Sequence, residues 1–152
     1  MSINFSMKNI FSSFILLLSL NLIAESQVAR DSVVMAVTDY VDAFYYGDTT
    51  KIHRSIVPNV YKYGYFRKKN ATNYEGMEMT FREMIAYSEG ARRGPLSGIN
   101  NQPKKIELFE VQDQTACAKL TAWWGSDYIL LAKIEGVWKI THVLWQSPPK
   151  KL

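Results

Sequence analysis

Apolar residues follow three different rhythms along this chain. From Ile10 to Ala24 they are almost unbroken. From Val33 onward they return every three or four positions, at Val33, Val37, Tyr40/Val41 and Phe44, with Thr38 and Asp42 on the wet side. That spacing predicts an amphipathic helix, with Asp31 as its N-cap and Gly47 as the glycine that stops it. Asp48 or Thr49 then caps a shorter helix carrying Ile52 and Ile56 and ended by Pro58. Val60 to Phe66 reads as a strand or extended arm with Tyr61, Tyr63 and Tyr65 on one side, and residues 67–78 as a loop or loose hairpin. Thr80-Phe81-Arg82-Glu83 has the spacing of a capping box, opening a third helix that runs to Gly90. Residues 91–103, rich in Gly, Pro and Asn, form a long connection.

Beyond Pro103 the period shortens to two. Lys105–Gln112, Thr115–Trp124, Asp127–Ile134 and Val137–Trp145 predict four strands, the last three joined by two-residue turns at Gly125-Ser126 and Glu135-Gly136. Helices first and an antiparallel meander after them means an α+β domain with helices covering one sheet face. Tight turns set the pairing and therefore the faces. The first turn places Trp124 opposite Asp127 and Ala122 opposite Ile129; the second places Leu131 beside Ile140 and Ile129 beside His142. The inner face is then mostly Ala, Leu, Ile and Trp. The outer face carries Lys119, Thr121, Lys139 and Thr141, but also Trp123, Tyr128, Leu130, Val143 and Trp145. So much apolar surface predicts a homodimer through the outer sheet face.

Three polar residues fall on the predicted inner face: Asp127, Lys133 and His142. Buried polar groups must pair, reach solvent or sit in a polar pocket. Asp127 and His142 are diagonal neighbours whose side chains can meet. Two readings fit them: a structural hydrogen bond at the sheet end, or an imidazole oriented for proton transfer or ligand binding.

Composition adds limits rather than chemistry. A chain of 152 residues that is 47% hydrophobic and 21% charged is one ordinary packed domain. Four Trp, nine Tyr and seven Phe serve either a bulky core or a lined pocket or interface. The net charge is +4, but the longest basic run is Arg67-Lys68-Lys69 and no nucleic-acid signature accompanies it, so no nucleic-acid partner is expected. His53 and His142 are the only histidines and lie far apart in sequence, so no metal site is expected. No nucleophile-elbow motif is present. The lone Cys117 is expected to be structural and packed away, and Asn70-Ala71-Thr72 is a glycosylation sequon.

The N-terminus has a separate design. Lys8, the apolar run Ile10–Ala24 and the small residues Ala24 and Ser26 have the layout of a signal peptide over residues 1–26, cleaved before Gln27. The run is shorter than the roughly 20 residues of a membrane-spanning helix. Residues 27–152 are thus expected as a secreted or periplasmic domain, free of the membrane after cleavage.

The segment Trp124-Gly125-Ser126-Asp127-Tyr128 through Lys133-Ile134-Glu135-Gly136-Val137-Trp138-Lys139-Ile140, followed by Val143-Leu144-Trp145, resembles the signature of the putative lumazine-binding family in the nuclear-transport-factor-2-like superfamily. Tyr40-Val41-Asp42-Ala43-Phe44-Tyr45-Tyr46-Gly47-Asp48 is similar to that family's first helix and turn. The resemblance covers about residues 31–146. It implies a cone-shaped fold, three N-terminal helices packed on a curved antiparallel sheet, with a pocket inside. Family members often carry His before the proline that ends the second helix, where this chain has Val57. Face assignment makes Tyr40, Tyr65, Trp124, Asp127, Trp138 and His142 the candidate pocket residues. The first expectation is an exported protein that binds a small apolar or heteroaromatic molecule without a cofactor. A protein-interaction module ranks second. An isomerase- or dehydratase-like enzyme using Asp127 and His142 as an acid–base pair ranks third.

Overall fold

The computed structural model describes residues 7–69, 71–93 and 104–149. The sequon residue Asn70, most of the 91–103 connection and the first six residues of the signal segment lie outside them. Helix α1 spans Met7–Tyr46, α2 Thr49–Ser55 and α3 Phe81–Arg93, and the strands are β1 Ile56–Phe66, β2 Glu75–Glu78, β3 Lys105–Val111, β4 Thr115–Ala122, β5 Gly125–Ile134 and β6 Val137–Gln146. Among the described residues no helix is long and apolar enough to cross a membrane.

α1 does not start at Asp31. No Gly or Pro occurs before Gly47, so nothing breaks the helix. Asp31 instead accepts a hydrogen bond from Gln27 one turn earlier, at 2.8 Å. The C-terminal part of α1 buries Val33, Val37, Tyr40, Val41 and Phe44 as their spacing requires. Gly47, at φ 72°, ends it, and its amide donates to the Ala43 carbonyl at 2.9 Å. Asp48 caps α2 by accepting from the Thr50 amide at 3.1 Å. Ion pairs tie α2 to α1: Arg54 binds Asp39 through both carboxylate oxygens at 2.6 Å, and Lys51 reaches Asp42 at 2.7 Å and Asp39 at 3.9 Å.

α2 stops at Ser55, before Pro58, which sits inside β1 where the pairing with β6 shifts register. A strand tolerates proline at such an irregularity. The loose hairpin over 67–78 closes as β1–β2, and β2 is a short, fully exposed edge. Thr80 and Glu83 form the capping box: the Thr80 amide donates to the Glu83 carboxylate at 2.7 Å and the Glu83 amide to the Thr80 hydroxyl at 3.3 Å.

The six strands form one curved mixed sheet in the order β2-β1-β6-β5-β4-β3. All neighbours are antiparallel except β1 and β6, which run parallel. The three helices cover the inner face, so the α+β fold class stands, with one parallel pair added to the expected antiparallel sheet.

The two hairpins depart from expectation in different ways. The first turn is Trp123-Trp124, because Ala122 pairs with Gly125. Gly125, at φ 137°, lies so close to the Gln146 carbonyl that a Cβ there would overlap it. It therefore starts a strand rather than a turn. The turn moves back by two residues and the pairing slides by four, so that Asp127 meets Leu120 instead of Trp124; an even slide leaves every side chain of β4 and β5 on its face. Asp127 remains inward and fully buried.

The second turn, Glu135-Gly136, has both residues at positive φ, 51° and 81°, as its mirror-image turn type demands. Its register holds to Leu131 beside Ile140. One extra residue on β6 then makes a bulge, after which Leu130 pairs with His142 and Asp127 with Trp145. The odd insertion reverses the faces. His142 and Leu144 turn outward, while Val143 and Trp145, expected outside, turn in.

Candidate functional site

The interior is closed at one end and open at the other. At the closed end Ile52, Ile56, Leu131, Trp138 and Ile140 belong to one apolar core and are all nearly inaccessible. At the open end, near the Trp123-Trp124 turn, lies a cavity of about 790 Å³. Phe44 from α1 and Tyr87 from α3 form one wall, and Trp123, Trp124 and Trp145 another. Met77 and Met79, from β2 and the residue after it, complete the apolar lining. The rings meet edge to face, with Phe44 5.8 Å from Trp124 and Trp123 5.7 Å from Trp124.

Beneath these rings runs a buried polar chain. Lys62 donates to the Tyr40 hydroxyl at 2.5 Å, and Tyr40 donates to Asp127 Oδ2 at 2.7 Å. The Trp124 indole N–H donates to Asp127 Oδ1 at 2.8 Å. Tyr40 and Asp127 are inaccessible and Lys62 is 6% exposed. Burial first, then the negative charge and hydrogen bond of Asp127, push the Tyr40 phenol well above its ordinary value, so it stays protonated and acts as a donor. Burial lowers the Lys62 ammonium, opposed by attraction to Asp127. The Lys62 Nζ also lies 5.0 Å and 4.9 Å from the Tyr40 and Phe44 ring centres, within cation–π range.

The candidate pocket residues separate into three groups. Trp124 lines the cavity. Tyr40 and Asp127 sit just below it in the polar chain. Trp138 belongs to the closed core, 4% exposed. Tyr65 is on the outside of β1, 45% exposed, because the Tyr61-Tyr63-Tyr65 side of that strand faces away from the helices. His142 is also outside, 6.4 Å from the Tyr61 ring and in contact with Thr141, so the bulge removes the proposed Asp127–His142 pair. Cys117, expected to be packed away, is only half-buried, in a smaller hollow that His142 also lines.

Lys62 escaped the sequence reading, although the alternation that put Tyr61, Tyr63 and Tyr65 together puts Val60, Lys62 and Gly64 on the opposite side. Trp145 escaped it because no pattern in β6 marks the bulge. Gly64 makes room for that indole: a Cβ there would overlap the Trp145 ring.

The sequence model of the putative lumazine-binding family matches residues 29–146. The chain belongs to that family. Similar solved structures carry the same architecture. A nuclear-transport-factor-2-like protein of unknown function from Silicibacter pomeroyi is 18% identical, with 82% of this chain and 97% of that one covered at a TM-score of 0.60. A second, from Methylobacillus flagellatus, is 17% identical over 98% and 99% at 0.59. A third, from Novosphingobium aromaticivorans and described as having a cystatin-like fold, is 10% identical over 87% and 91% at 0.56. At these identities the likeness concerns the fold. No functionally curated protein matches the chain.

Proposed function

We propose that this family member is an exported binding protein that encloses a small apolar or heteroaromatic molecule in the cavity beside the Trp123-Trp124 turn. The cavity carries the reading: about 790 Å³, walled by aromatic rings and methionines above a buried polar chain. Ligand pockets have this size and this mix of apolar wall and few oriented polar groups. Export is supported by the layout of the N-terminal segment, Lys8, the apolar run Ile10–Ala24 and the small residues Ala24 and Ser26. Among residues whose burial is described, none from Glu25 to Ser32 is buried, so a chain starting at Gln27 keeps every core residue described. A thermal-shift screen of the mature protein against aromatic metabolites, followed by native mass spectrometry, tests the binding reading. A stabilising ligand that forms a one-to-one complex supports it, and the absence of any shift over a broad library overturns it. N-terminal sequencing of the protein recovered outside the cytoplasm tests export, with Gln27 as the expected first residue.

A second reading is favoured by the outer sheet face, where Tyr61, Tyr65, Tyr128, Leu130 and Leu144 are 45–52% exposed. A contiguous apolar surface of this kind suits a symmetric homodimer. Sedimentation of wild type and Tyr128→Glu tests it. A dimer dissociated by the substitution supports the reading, and a monomer at high concentration removes it.

A further inference from the structure

We infer that the guest of this cavity is an acid: a carboxylate on an aromatic or other apolar skeleton, with its anionic end seated on Lys62. The inference rests on the binding reading and names the ligand's chemistry. Four cationic side chains, Lys62, Arg67, Lys68 and Lys69, line the cavity, and no carboxylate among the described residues does. Lys68 and Lys69 are exposed, where water and salt weaken them, while Arg67 is half-buried, with its Nε enclosed and its Nη1 donating to the Ala71 carbonyl at 3.4 Å. Lys68 is moreover paired with Glu75 at 3.1 Å. Lys62 alone is buried.

The hydrogen bonds of Lys62 are incomplete. An ammonium carries three donors, and among the described residues one is used, on the Tyr40 hydroxyl. The Tyr40 and Phe44 rings beside it attract charge but accept no such bond of comparable strength. Asp127 does not fill the gap. Tyr40 stands between it and the ammonium, and its two oxygens are taken by Tyr40 and the Trp124 indole. The carboxylate thus compensates the lysine's charge at a distance and leaves its remaining donors without an anion in contact.

A buried ammonium in that condition discriminates. A carboxylate entering the cavity supplies the missing acceptors and a counter-charge where little water screens them. A neutral guest of the same shape leaves the donors unfilled, and a cationic guest adds repulsion. Sites built around a group that needs a partner reject ligands lacking it far more strongly than apolar walls reject a changed shape. The aromatic and methionine walls accept flat bicyclic or flexible aliphatic skeletons, so selectivity resides in the acidic end.

The test is calorimetric titration of the mature protein with three acids, 2-naphthoate, indole-3-acetate and decanoate, each beside its primary amide, and with a Lys62→Met variant checked for folding by thermal unfolding. The expected result is at least one acid binding tenfold or more tighter than its amide, with the preference lost in Lys62→Met while the amide's affinity is kept. Should Lys62→Met not fold, Lys62→Gln replaces it with the same expectation. Amides binding as well as their acids, or a preference that survives loss of Lys62 and vanishes in a Lys68→Ser/Lys69→Ser double variant, overturns the inference and leaves the binding reading intact. Binding by none of the six compounds, in a protein that still takes up other apolar neutral molecules, overturns the acid alone. Failure with neutral molecules as well overturns the binding reading with it.

Discussion

The two ends of the interior are built from the same strands and differ in what they leave unfinished. At the closed end, Ile56, Leu131, Trp138 and Ile140 satisfy one another by apolar contact. At the open end the same three strands contribute Lys62, Asp127 and Trp145, and the chain there bonds polar groups to one another beneath a void. The closed end owes its stability to burial, which is tolerant of geometry. The open end depends on a few hydrogen bonds, and each of them leaves a buried group stranded if its partner goes. The contrast teaches that the open end depends on exact pairing of buried polar groups, whereas the closed end depends on burial alone.

The largest expected effect follows from breaking the polar chain at its centre. Asp127→Ala strands the Tyr40 hydroxyl, the Trp124 indole and the Lys62 ammonium at once, and should destabilise the protein by about 3–5 kcal/mol in a denaturant titration. A loss below about 1 kcal/mol would mean that the network contributes little and that the contrast between the ends is false. Next comes Gly64→Ala, which drives a methyl into the Trp145 indole. A cost of about 1–3 kcal/mol is expected, with weakened ligand uptake because Trp145 walls the cavity. At the closed end Ile140→Val should cost about 0.5–1.5 kcal/mol and leave ligand affinity unchanged. Altered affinity there would show that the two ends are coupled.

The smallest effect is one of pH. Burial lowers the Lys62 ammonium in the folded state, so the unfolded chain holds that proton more tightly, and stability from this group rises as pH climbs from the lowered folded value towards the unfolded one. Wild type should therefore gain stability relative to Lys62→Met as pH is raised from neutrality to about 10.5, the ordinary lysine value. A difference between the two proteins that is flat or falls over that range would contradict the assigned direction.

Much of this was legible in the chain, and the misses have one common form. The 3.6 spacing of Val33, Val37, Val41 and Phe44 and the Thr80–Glu83 cap are local signals, and local physics produced the helices they announce. Asp31 misled because a capping residue starts a helix only where something ends the preceding one. The alternation in β1 already held Lys62 opposite its tyrosines, but only knowledge of which side met the helices could make it a pocket residue. Trp123, placed on the outer face by pattern, became cavity wall when the turn moved onto it.

The sequence by itself determined the element order, the fold class and the faces of β4 and β5, because side chains alternate with period two and a slide by an even number of residues changes no face. Tertiary structure decided the rest of the site. A single extra residue in β6 exchanged His142 for Trp145 on the inner side, and the parallel docking of β1 beside β6 carried Lys62 into the interior. A bulge and a long-range strand pairing are chosen by packing across the whole sheet, through contacts between residues dozens of positions apart. No window of neighbouring residues contains that information.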